Sequence, residues 1–103
     1  MTGFRRVAGV EDIPAGKSKV VDVDSRQIAL FNVGGAFYAV DNWCAHRGGP
    51  LGEGTLRGTT VTCPWHGAQY DVTNGQALSP PAPAGVRAYP TQVEDGGVWV
   101  EVG

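Results

Sequence analysis

The sequence predicts an all-β chain built from short antiparallel strands. Three observations predict it. Gly (16) and Pro (7) are abundant for 103 residues, which favours turns and short elements. Apolar and polar residues alternate at several places, the period of a half-buried strand. No ten-residue segment carries apolar side chains at helical spacing.

The elements follow in order. Arg5 and Arg6 precede Val7-Ala8-Gly9-Val10. A twin-arginine export signal needs roughly 7–15 apolar residues behind the charges. Glu11-Asp12 ends the run too early, so the two arginines are read on the exposed side of a first strand. The chain is accordingly expected to be cytoplasmic, with no targeting segment. A short helical turn is expected around Glu11-Asp12-Ile13, where the chain crosses a sheet edge. Val21 and Val23 alternate with Asp22 and Asp24. Gln27 to Val33 is richer in apolar residues, as a central strand would be. Gly34-Gly35 makes a tight hairpin into Ala36 to Val40. Thr59 to Cys63 is a β-branched run. Pro80-Pro81-Ala82-Pro83 is a rigid loop rather than a linker. Asp95-Gly96-Gly97 turns between Thr91–Glu94 and a final strand over Val98–Val102.

One domain is expected over residues 1–103. Residues 41–77 are crowded with Gly, Pro, Cys, His and Trp, and no linker flanks them. They are read as a site-bearing lobe inserted in an antiparallel β base formed by 1–40 and 78–103.

Composition excludes several functions. The hydrophobic fraction of 42% supports a folded core. Eight basic against ten acidic residues leave a net charge of −2, the wrong sign for a nucleic-acid partner. No apolar run approaches the 18 or so residues of a membrane-spanning helix. No nucleophile–base pair and no phosphate loop stands out, so an independent catalytic site is not expected.

The chemistry is concentrated in two cysteines and two histidines. They stand as Cys44-Ala45-His46 and Cys63-Pro64-Trp65-His66, with sixteen residues between the two motifs. A disulfide between Cys44 and Cys63 is conceivable but not expected in a reducing compartment. A zinc finger groups its ligands as a cysteine pair and then a histidine pair. Here each motif is mixed. That suits two metal atoms sharing both loops, one taking the thiolates and the other the imidazoles.

At these residues the sequence resembles the Rieske [2Fe–2S] family. The match extends around the ligands, through Cys44-Ala45-His46-Arg47-Gly48-Gly49-Pro50-Leu51 and Cys63-Pro64-Trp65-His66-Gly67. The resemblance implies three small antiparallel sheets, with one cluster per chain at the end of the inserted lobe. Cys44, His46, Cys63 and His66 would be its ligands. Two thiolates balance the oxidised core and two neutral imidazoles add nothing, so an added electron meets less negative charge than in an all-cysteine cluster. Rieske potentials accordingly span roughly −150 to +300 mV. Respiratory members carry two further cysteines that form a disulfide beside the cluster. This chain has Gly49 and Trp65 there. That pattern is similar to the ferredoxins and oxygenases of bacterial ring-hydroxylating dioxygenases. The oxygenase chain is much longer, so the stand-alone ferredoxin is expected.

Roles for the neighbouring residues follow from the same resemblance. Gly48, Gly49 and Gly67 either let the backbone approach the cluster and aim N–H groups at sulfur, or serve as ordinary turn glycines. Tyr70 is read as a donor to a cysteine sulfur or as a core aromatic. Ala68 stands where respiratory relatives have a serine hydroxyl. Trp65 shields the cluster, meets a partner or packs in the core. Pro81 belongs to a third loop that covers the cluster, or to a plain turn. Arg47 lies at a docking face or is a solvated charge. Trp43 and Trp99 are assigned to packing.

The leading functional expectation is a one-electron carrier. It would pass electrons from a flavoprotein reductase to a terminal oxygenase, docking transiently at the cluster end of the lobe. The alternatives are the small Rieske-like subunit of an assimilatory nitrite reductase, and a structural zinc module.

Overall fold

β3 (Arg26–Val33) is the strand around which the chain is organised. Its alternate side chains are buried on both faces: Ile28 and Leu30 in one core, Ala29 and Phe31 in another. The near-continuous apolar run of this segment is therefore the mark of a strand covered on both sides. The computed structural model describes residues 3–43, 48–65, 67–79 and 84–102.

Three antiparallel sheets make up the fold. β1 (Phe4–Gly9), β10 (Thr91–Glu94) and β11 (Gly97–Glu101) form the first, in the order β1-β11-β10. β2 (Ser18–Val23), β3, β4 (Ala36–Asp41) and β9 (Ala88–Tyr89) form the second, in that order. β5 (Thr55–Arg57), β6 (Thr60–Thr62), β7 (Gln69–Asp71) and β8 (Ala77–Ser79) form the third. The all-β, antiparallel expectation is met. Helical structure among the described residues is confined to two 3₁₀ turns, Val10–Asp12 and Leu51–Glu53. The first falls within a residue of its expected place, and Asp12 caps it by accepting the Gly9 N–H at 2.9 Å. No helix among the described residues is long and apolar enough to cross a membrane.

The first core lies between the first and second sheets. It joins Val98, Val100 and Val102 to Val21, Val23, Ile28, Leu30 and Phe37. The partners in the alternating patterns, Asp22 and Asp24, stay exposed. The second core lies between the other face of the second sheet and the third sheet. There Ala29, Phe31 and Val40 meet Leu51, Val61, Cys63, Ala68, Tyr70 and Val72.

The third sheet arises from an insertion between two neighbouring strands. β4 and β9 pair at Ala39–Tyr89 and Val40–Ala88. The Asp41 N–H donates to the Arg87 carbonyl at 2.9 Å, so the chain leaves and re-enters the second sheet at one place. Side chains reinforce this neck. The Tyr89 hydroxyl donates to Asp41, Arg26 donates to the same hydroxyl at 3.2 Å, and Arg87 lies 4.7 Å from the Tyr89 ring centre.

The hairpin turns show which local signals were legible. Gly34-Gly35 and Asp95-Gly96 have positive φ at both positions, the geometry of two-residue turns matched to strand twist. Gly97 pairs with Glu94 and so opens the last strand, where the sequence suggested a turn residue. The β2–β3 turn was not expected, because Asp24 and Ser25 hold φ of 49° and 69° without glycine.

Two predictions follow from the fold. A non-glycine residue in the left-handed region costs about 1–2 kcal/mol, partly offset by the greater chain entropy of glycine. Ser25→Gly should therefore stabilise the protein by about 0.5–1 kcal/mol, read as a higher urea midpoint. The second concerns Tyr89. Burial, and then its hydrogen bond to Asp41, push its phenol pKa up from 10.0, while Arg26 pulls it partly back. Above about pH 10 the unfolded chain loses this proton and the folded chain keeps it, so stability falls with rising pH. Tyr89→Phe removes that contribution. Denaturant titrations at pH values on either side of about 10 should give a shallower alkaline decline for the variant.

Candidate metal centre

Two loops carry the motif residues, and each is closed by backbone hydrogen bonds. The first follows β4 through Asn42 and Trp43 and is described again from Gly48. Cys44, His46, Arg47 and His66 lie outside the described residues, as does Pro81 of the third loop. The stem of the first loop is defined on both sides. Trp43 and Pro50 form an antiparallel bridge. The Leu51 N–H donates to the Asn42 carbonyl at 2.6 Å. The Gly52 N–H donates to Asn42 Oδ1 at 2.8 Å.

The second loop joins β6 to β7. The β-branched run Thr60–Thr62 pairs with β5 on one side and β7 on the other, and it delivers Cys63 to the end of the hairpin. The Cys63 N–H donates to the Ala68 carbonyl at 2.7 Å, which closes the turn. Gly67 within it has φ +76°, the left-handed region that glycine adopts without strain.

Cys63 is buried, only 2% exposed, in the wall of the second core. Its sulfur accepts the Trp65 N–H at 3.4 Å. The first loop presses against the same sulfur. A Cβ built on Gly49 would lie 2.5 Å from Cys63 Sγ and 3.1 Å from Trp65 Cβ. Only a residue without a side chain permits that approach. The three glycines named from the sequence thus divide. Gly49 makes the close contact. Gly48 and Gly67 supply positive φ, and among the described residues no atom lies within 4 Å of a Cβ built on either. Among the described residues, the Trp65 amide is aimed at this sulfur.

The remaining assignments fall as follows. Tyr70 and Ala68 are fully buried beside Cys63 in the second core. Trp65 is half exposed, so it does not pack in the core. Trp43, assigned to packing, is 49% exposed, at the stem of the first loop. Trp99 is half-buried, with its indole N–H 3.4 Å from the Glu94 carbonyl oxygen. Asn42 was missed. It is 1% exposed and bonded on both polar atoms of its side chain. The available signal was its type and place, an asparagine between a strand end and a cysteine loop.

The described part of the site fits an iron–sulfur cluster. A buried thiol with an amide donor suits a negatively charged sulfur ligand, since N–H groups stabilise thiolate charge. The glycine backbone against that sulfur leaves no side chain to crowd the site. By sequence each loop pairs one cysteine with one histidine, the donor types of a mixed-ligand cluster.

Comparison with known proteins agrees. Residues 4–90 match the family model of the Rieske [2Fe-2S] domain. A ferredoxin component of the naphthalene 1,2-dioxygenase/salicylate 5-hydroxylase systems of Ralstonia sp is 38% identical over 88 residues, covering 85% of each chain. Among solved structures, the ferredoxin of carbazole 1,9a-dioxygenase from Nocardioides aromaticivorans IC177 superposes with a TM-score of 0.95. It is 27% identical, with 99% of this chain and 100% of that chain covered. A ferredoxin solved in the complex of reduced oxygenase and oxidized ferredoxin in carbazole 1,9a-dioxygenase matches with a TM-score of 0.90. It is 30% identical, over 98% of this chain and 94% of that one. With its sheet order, its two closed loops and a match along most of its length, the chain belongs to the Rieske [2Fe-2S] domain family.

Proposed function

We propose that this protein is the ferredoxin component of a ring-hydroxylating dioxygenase system. It carries single electrons from a flavin-dependent reductase to a terminal oxygenase and is not itself an enzyme. The observation that carries this reading is the near-complete mutual coverage with the ferredoxin of carbazole 1,9a-dioxygenase. The solved complex of such a ferredoxin with its oxygenase supports the choice of partner. The reading locates this exchange in the cytoplasm, with neither nucleic acid nor membrane as partner.

The cluster, when bound, takes up one electron and gives it back. Cys44 and Cys63 would hold one iron through their sulfurs, and His46 and His66 the other through imidazole nitrogen. The chain's own groups set the conditions. The Trp65 N–H on the Cys63 sulfur stabilises negative charge there and favours the reduced state. The second core behind Cys63 excludes water. Tyr70, within that core, donates its hydroxyl to a cysteine sulfur in this reading, and Ala68 supplies none. Residues 41–77, within the insertion that runs from Asp41 to Arg87 and includes β8, act as the cluster-binding lobe, with Arg47 and Trp65 on its docking face and Pro81 over the cluster.

Two expected outcomes test this. The reduced protein should give a Rieske-type electron paramagnetic resonance (EPR) spectrum. Its midpoint should lie in the lower part of the range of roughly −150 to +300 mV, within reach of a nicotinamide-dependent flavoprotein. His46→Ala and His66→Ala should each abolish the spectrum. A colourless zinc protein, or a spectrum that survives either change, overturns the ligand assignment. Redox titration of single variants tests the hydroxyl donors. Tyr70→Phe should lower the midpoint by roughly 20–60 mV, and Ala68→Ser should raise it by a similar amount if its hydroxyl reaches sulfur.

A further inference from the structure

Asn42 sits where one side chain can fix the mouth of the first ligand loop. It is 1% exposed, and its hydrogen bonds reach two segments, β3 at Gln27 and the Leu51–Gly52 turn. Its backbone N–H donates to the Gln27 carbonyl of β3 at 3.0 Å, and its own carbonyl accepts the Leu51 N–H at 2.6 Å. Its side chain accepts the Gly52 N–H through Oδ1 at 2.8 Å and donates through Nδ2 to Gln27 Oε1 at 3.3 Å. The loop therefore leaves and returns through one residue.

The far end of the stem fits closely against the second sheet. The Gly52 carbonyl accepts the Ser18 hydroxyl at 2.7 Å. A Cβ at Gly52 would lie 2.3 Å from Val20 Cγ2 and 3.0 Å from Asn42 Oδ1. Gly52 is thus pressed against the second sheet, with its N–H pointing at Asn42. Two residues before Leu51, Gly49 lies against the Cys63 sulfur. The register of the stem sets where Gly49 falls relative to Cys63, and so how the two ligand loops meet.

We propose that Asn42 is a positioning residue for the cluster, because its side chain locks the Leu51–Gly52 end of the first ligand loop and thereby holds Gly49 against the Cys63 sulfur. It touches neither sulfur nor iron in this role. An unanswered Gly52 N–H would be a partly buried orphan donor, and the stem would shift to satisfy it. The inference rests on the reading of these loops as the cluster holders.

The test uses the cluster-loaded protein and three variants. Asn42→Ala removes the acceptor. Asn42→Asp keeps an oxygen facing the Gly52 N–H. Val98→Ala weakens the first core, away from both loops. Cluster loss is followed as bleaching of visible absorbance with a chelator present, and cluster geometry as the EPR g values of the reduced protein. Asn42→Ala should bleach roughly 5- to 30-fold faster than wild type and shift the g values. Asn42→Asp should restore both. Val98→Ala should lower the melting temperature without moving the g values. Wild-type bleaching and g values in Asn42→Ala overturn the role. So does a shift of equal size in Val98→Ala, or a failure of Asn42→Asp to rescue. A wild-type protein with no Rieske spectrum would instead defeat the ferredoxin reading.

Discussion

The constraint on which the fold depends is the burial of β3 on both faces. Ile28 and Leu30 need one apolar cover, and Ala29 and Phe31 need another. The first sheet supplies the former. The third sheet and the Leu51 turn supply the latter. The lobe is thus a structural layer as well as the bearer of the site. A lobe that covers a core has a fixed orientation, and this is what a cluster site spread over two loops requires. Because the insertion begins and ends at neighbouring strands, the Asp41–Arg87 hydrogen bond and the Tyr89–Asp41 contact hold both its ends at one neck.

The electrostatics of the site follow from that placement. Cys63 lies in the wall of the second core, so its sulfur has little water to stabilise charge. The Trp65 amide takes over part of that task. Gly49 closes the same sulfur from the other loop without adding a side chain. An electron carrier gains from this, since a rigid and largely dry surround changes little when the charge changes. Meanwhile Trp43 and Trp65 stay half exposed at the two loops, where a partner's surface can reach them.

Legibility varied with the physical origin of each element. Gly34-Gly35 and Asp95-Gly96 were readable, since a two-residue turn between twisted strands demands positive φ. Asp24-Ser25 makes a turn of the same kind and was invisible, because its strain is tolerated by the strands it joins. β5, β7, β8 and β9 were also missed. Each has two or three residues, too few for an alternation to register. They exist because their neighbours pair with them. Trp43 was misassigned for a related reason. A tryptophan is apolar in any sequence, and only its tertiary surroundings decide that it stays half exposed.

The sequence by itself determined the all-β class, the central strand, the glycine turns and the family, because these are written in composition, short-range period and four scarce residues at fixed spacing. The tertiary structure alone decided which glycine touches sulfur, which amide donates to it, and that Asn42 closes the first loop. Those contacts join residues from separate loops and strands. Their geometry depends on where the second core seats the lobe, and no local pattern of residues encodes that distance.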